Sequence, residues 1–234
     1  MTVDNRSGRI HAGEARAVAL SALYFFCVLA AYYVMRPVRD QLSAAVGSTQ
    51  LPRFYAATFV VTLALTPLFA WLAARYPRRV LVPVVYGFFI LCLLAFVPLF
   101  WARGLVDPRV LGTVFFVWVS VFNLFVVSVF WSFMTDIWDV AQARRLFPLI
   151  ALGGPAGAVA GPMLTRSLVG VIGVAPLLLV SAALLVIALV CAAGLGRWAR
   201  RHDTARPDAA HGAAVGGRMF DGLKQVFADP FMRS

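Results

Sequence analysis

Apolar residues run in six blocks of roughly twenty along this chain, and short arginine-bearing segments separate them. The blocks lie near 18–38, 55–75, 80–101, 110–135, 147–168 and 174–196. At about 1.5 Å of rise per residue, each is long enough to cross a hydrocarbon layer of roughly 30 Å as a helix. A helix satisfies its own backbone hydrogen bonds there, which an isolated strand or loop does not. The pattern therefore predicts an all-α polytopic membrane protein with six transmembrane helices. Residues 1–17 form a polar tail, 18–196 the bundle and 197–234 a polar linker. Within the linker Phe220, Leu223, Phe227 and Phe231 recur at helical spacing up to a break at Asp229-Pro230. This amphipathic segment suits either the membrane surface or a packing helix outside it.

Composition agrees. Apolar residues make up 62% of the 234 and charged residues 13%, against roughly 25% charged in soluble domains. A formal net charge of +11 would suggest nucleic acid in a soluble protein. Here the arginines sit between and beyond the blocks, where basic residues orient helices, so no nucleic-acid partner is expected. With the N-terminus inside, Arg6, Arg9, Arg16, Arg75, Arg78, Arg79, Arg144, Arg145 and the basic tail from Arg197 onward are cytoplasmic. Arg36, Arg39, Arg53, Arg103, Arg109 and Arg166 lie opposite. The imbalance places both termini in the cytoplasm, and the expected location is the inner membrane of a bacterium. The first block lacks a clear cleavage site and reads as a retained helix.

Little in the chain suits catalysis. Cys27, Cys92 and Cys191 each fall in an apolar block without metal-ligand spacing, and the three histidines lie in the polar ends. No Gly-rich phosphate loop with its Lys occurs. We expect no enzyme, no metal and no cofactor.

Chemistry instead gathers in polar residues near the blocks. Arg36 and Arg39 close the first block three residues apart on one helix face, with Asp40 beside them. They either anchor the helix end at the interface or hold an anionic solute through charge-assisted bonds. Ser120 and Asn123 share a face of the fourth block, and Trp131 adds a polar edge lower down. These line a cavity or bond a neighbouring helix. Gly153, Gly157 and Gly161 repeat every four residues, making a smooth stripe on which another backbone packs closely.

Two stretches resemble known carriers. The run Phe69-Ala70-Trp71-Leu72-Ala73-Ala74-Arg75-Tyr76-Pro77-Arg78-Arg79 resembles the short loop Gly-x-Leu-Ala-Asp-Arg-x-Gly-Arg-Arg of the major facilitator superfamily. Ala70, Ala74 and Pro77 replace its first Gly, its Asp and its second Gly. The Gly/Pro-rich fifth block is similar to the fifth helix of facilitator antiporters. More specifically, Met35 to Asp40, Phe130 to Phe133 and Ala141 to Leu149 are similar, in this order, to the ATP/ADP translocase-like nucleotide transporters. That family's acidic residue in the fourth helix has no counterpart near Val119-Ser120.

The resemblance covers about residues 18–165 and implies the N-terminal half of a facilitator, two three-helix units of inverted topology. It implies secondary transport, by antiport, of a small anionic solute of the nucleotide or phosphorylated-metabolite class. Arg36, Arg39, Asp40, Ser120, Asn123 and Trp131 would contact solute, and Arg75, Arg78, Arg79, Arg144 and Arg145 would serve gating loops. A facilitator cavity lies between two halves, so the expected partners are the lipid bilayer and a second six-helix half or a second copy. The 234 residues are then expected to be a fragment or one subunit of a split or homodimeric carrier. A membrane scaffold and an exporter of apolar compounds are the competing classes.

Overall fold

The computed structural model describes residues 12–46, 51–101 and 107–202, and all regular structure among them is α-helix. Seven helices follow in order: α1 (Ala12–Val46), α2 (Leu51–Arg75), α3 (Arg78–Trp101), α4 (Pro108–Ile137), α5 (Val140–Ala151), α6 (Gly153–Ile172) and α7 (Val174–His202). They supply six stretches long and apolar enough to cross a membrane, with α5 and α6 sharing the fifth. The chain is thus an all-α polytopic membrane protein. Residues 203–234, with the amphipathic segment at Phe220 to Phe231, and residues 1–11 lie outside the described residues.

Helix ends depart from the apolar blocks. The first helix begins at Ala12, six residues ahead of Val18, and α7 continues through Arg197 into His202. Polar residues at these ends still favour helix, and the hydrogen-bonded ladder propagates once nucleated. The fifth block begins earlier too. Asp139 caps α5, accepting a bond from the backbone N–H of Gln142 at 2.8 Å, while the Gln142 side chain accepts from the Asp139 N–H at 3.3 Å. This reciprocal pair starts a helix seven residues before the apolar block at Phe147. The 33 residues from Val140 to Ile172 would span about 50 Å if straight, and Leu152 interrupts them between α5 and α6. At the other end of α6, Gly173 with φ of 80° makes the entire turn into α7, a conformation only glycine adopts readily.

Successive spans run antiparallel. We call the face holding the start of α1 basal and the opposite face distal. Helix α1 is central and packs most extensively on α6 and α7, then on α4, while α3 packs on α7 and α4, and α2 mainly on α4. Exchanging α1 with α4, α2 with α6 and α3 with α7 maps these major pairs onto one another. The two triplets start from opposite faces, so the packing has the form of a three-plus-three inverted repeat.

The core is aromatic. Tyr24, Phe25, Phe130, Phe133 and Trp131 interlock between α1 and α4, and Phe89, Phe96, Phe115, Trp118 and Phe122 between α3 and α4. Two tyrosine hydroxyls inside are paired: Tyr24 donates to Tyr86 at 2.7 Å, and Tyr86 donates to the Val126 carbonyl at 3.2 Å.

Candidate functional site

The distal end of α1 gathers the charges. Arg39 donates from Nε and Nη2 to Asp40 Oδ1 at 2.9 and 2.7 Å, and Arg36 Nε lies 3.8 Å from Asp40 Oδ2, one turn away. Two guanidinium groups thus share one carboxylate. They differ in setting. Arg39 lies 4.8 Å from the ring centroid of Phe116 on α4, and its side chain is only 13% exposed. Arg36 stands 5.5 Å from the Tyr33 ring and is 47% exposed. A planar guanidinium over an aromatic face gains electrostatically from the ring quadrupole. Arg39 is therefore pinned between helices while Arg36 stays open. Between them Pro37 has no N–H, which leaves the Tyr33 carbonyl without its helical donor.

Phe116 carries the site onto α4. Its carbonyl accepts from Ser120 Oγ at 3.0 Å, so that hydroxyl is committed to its own helix. Asn123, half-buried one turn further on, shares the face of Phe116 and Ser120. Trp131 does not join them. Fifteen residues beyond Phe116, it lies about 22 Å along the axis, where it packs 5.4 Å from Phe25 and 5.5 Å from Phe147. The six candidate solute contacts are spread along the bundle: Arg36, Arg39 and Asp40 lie near its distal end, Ser120 and Asn123 about 6 and 10 Å beyond Phe116 toward the middle of α4, and Trp131 on the basal side.

The basal arginines fall into two groups. Arg75 ends α2 and stands 5.9 Å from the Trp71 ring, while Arg78 and Arg79 open α3, leaving only Tyr76 and Pro77 as connection. Arg78 donates to the Ala73 carbonyl at 2.8 Å and lies 3.7 Å from Asp136 at the end of α4. Arg144 and Arg145, expected in a loop, lie on α5. Arg145 Nη2 reaches both oxygens of Glu14 on α1, at 3.1 and 2.9 Å, and Gln142 Nε2 donates to the same carboxylate at 2.9 Å. The Glu14 side chain is 11% exposed. Sequence reasoning missed Glu14 and Asp136 as partners. The available signal was the Asp-x-x-Gln capping box of α5, which makes that stretch helical and fixes where Arg145 points.

The chain matches no protein family, no curated protein and no solved structure. Its likeness to facilitator and nucleotide carriers rests on the motifs alone.

The glycine stripe does pack against another backbone. A Cβ at Gly153 would collide with the Ala22 carbonyl oxygen and one at Gly157 with that of Phe26, while one at Gly161 would lie 2.6 Å from Tyr33 Cβ. Thr165, one turn on, donates to the Val34 carbonyl across the seam at 3.0 Å. The stripe therefore fixes the height of α6 on α1 right up to Tyr33 and the arginine cluster.

Proposed function

We propose that the six-helix bundle is one half of a secondary carrier for a small anionic solute, of the class of nucleotides and related phosphorylated metabolites. The observation that carries this reading is the pair Arg36 and Arg39 sharing Asp40, with one guanidinium pinned on Phe116 and the other open. One carboxylate offsets only one of the two cations. An entering phosphate or carboxylate would find an unsaturated donor fork, with Tyr33 and Phe116 offering flat faces beside it. Asp40 orients Arg39, and Asn123 is placed one helical turn from Ser120 to meet the polar body of the solute. In this reading the basal face is cytoplasmic, and the cavity is completed by a second six-helix half or a second copy of this chain.

Reconstitution into liposomes with that partner tests it. Uptake of a labelled nucleotide or sugar phosphate should fall about tenfold or more for Arg36→Gln, a loss of about 1.4 kcal/mol of binding. Uptake that survives the double change Arg36→Gln and Arg39→Gln would remove the anion reading. Uptake of apolar compounds alone would favour an exporter, and none of any solute would favour a scaffold.

A further inference from the structure

A second set of arginines occupies the basal face, away from Asp40. A groove of about 490 Å³ opens between α3, α4 and α7, with Arg79, Arg197 and Arg200 at its mouth and Val82, Phe133 and Leu189 among its walls. Among the described residues no carboxylate lies within ion-pair distance of these three arginines. Their neighbours behave differently. Arg78 faces Asp136 and Arg145 grips Glu14, whereas Arg197 donates only to the Ala193 carbonyl, at 3.3 Å from its Nε.

The position favours one class of ligand. Arg79 opens, and Arg197 and Arg200 close, the two most apolar of the six spans, which puts all three at the boundary between hydrocarbon and headgroups. Leu179, Val186, Val190, Ala193, Arg197 and Arg200 are all exposed at spacings of seven, four, three, four and three, one face of α7. An apolar stripe thus runs the length of the helix and ends in two cations at the groove. A free phosphate would use the cations and ignore the stripe, whereas an acyl chain extends along the stripe when its phosphate sits at the end. We propose that this groove binds an anionic phospholipid, its phosphate held by Arg79, Arg197 and Arg200 and a chain lying against α7.

The purified, delipidated full chain would be titrated with phosphatidylglycerol, with phosphatidylcholine of the same chains and with glycerol phosphate, bound lipid being read by native mass spectrometry. The anionic lipid should bind about tenfold or more tightly than the zwitterionic one, and glycerol phosphate should not displace it. Arg197→Gln should weaken it about fivefold. Arg144→Gln, which removes an exposed arginine outside the groove, should change it less than about twofold. Ala193→Leu, which crowds the groove without touching charge, should weaken both lipids. Equal binding of the two lipids, displacement by glycerol phosphate, or equal losses for Arg144→Gln and Arg197→Gln would each overturn the proposal. The wild-type arms decide it even if a variant fails to fold.

Discussion

Helix α6 lies on α1 as α2 lies on α4, at equivalent places in the two triplets, yet the two seams are made of opposite materials. The first is built on Gly153, Gly157 and Gly161, so backbones nearly touch, and hydroxyls cross it or run beside it: Thr165 to the Val34 carbonyl and Ser181 of α7 to that of Ala31, both at 3.0 Å. The second has no glycine on α2. Phe54 and Tyr55 rest on Phe116, and Phe69 on Phe125, with ring centroids 5.0 to 5.7 Å apart. The most apolar stretch of α2 contains no buried residue, and the buried Thr58 hydroxyl has no partner. Lipid tails are as apolar as Leu, so association inside a bilayer depends on close packing and hydrogen bonds more than on expelling water. The α1–α6 seam has both. The α4–α2 seam has neither in comparable measure, which makes α2 the element freest to shift.

The largest test is to crowd each seam. Gly157→Leu forces a side chain into the Phe26 carbonyl and should destabilise by about 3 kcal/mol or abolish folding, whereas Val61→Leu, on the partly buried face of α2 that it shares with Phe54, should change stability by less than about 1 kcal/mol. Reversible unfolding in mixed micelles would measure both, and equal effects would dissolve the distinction. Next come the basal fastenings. Glu14→Gln leaves Arg145 without its carboxylate in a half-buried site and should cost about 2 kcal/mol. Asp136→Asn removes a longer, half-exposed contact to Arg78 and should cost about 0.5 kcal/mol in the same assay. Thr165→Val should then lose about 1 kcal/mol, the worth of one interhelical bond in a membrane. The smallest effect has the sharpest sign. Thr58→Val removes a hydroxyl that bonds nothing and should be neutral or slightly stabilising, so a clear loss there would mean the α4–α2 seam is better satisfied than its geometry shows.

The six spans were legible because hydropathy over twenty residues is a strong, local signal. So was the glycine period of four. What the stripe packs against was not legible, because Gly157 and Phe26 meet across more than a hundred residues and nothing in either segment names the other. The distal pair was legible as far as Arg36, Arg39 and Asp40 are neighbours in sequence, but the Phe116 ring that separates their roles belongs to another helix. Polarity alone links Trp131 with them, and its level in the bundle separates it. Glu14 looks like part of a polar tail because helix α1 begins before its apolar block does.

The central place of α1 has a consequence for how the chain is made. Its backbone carbonyls at Val34 and Ala31 receive their partners from Thr165 and Ser181, 131 and 150 residues later. At a synthesis rate of about 5–20 residues per second, roughly 7–30 s pass between the appearance of these carbonyls and that of their partners on α6 and α7. Until then α1 must stand in the bilayer with the faces that meet α6 and α7 uncovered, α4 being the one major neighbour already made, and with a proline and two arginines near its far end. The second triplet is then the template that seats the first, and the earliest segment to be inserted is among the last to reach its final packing.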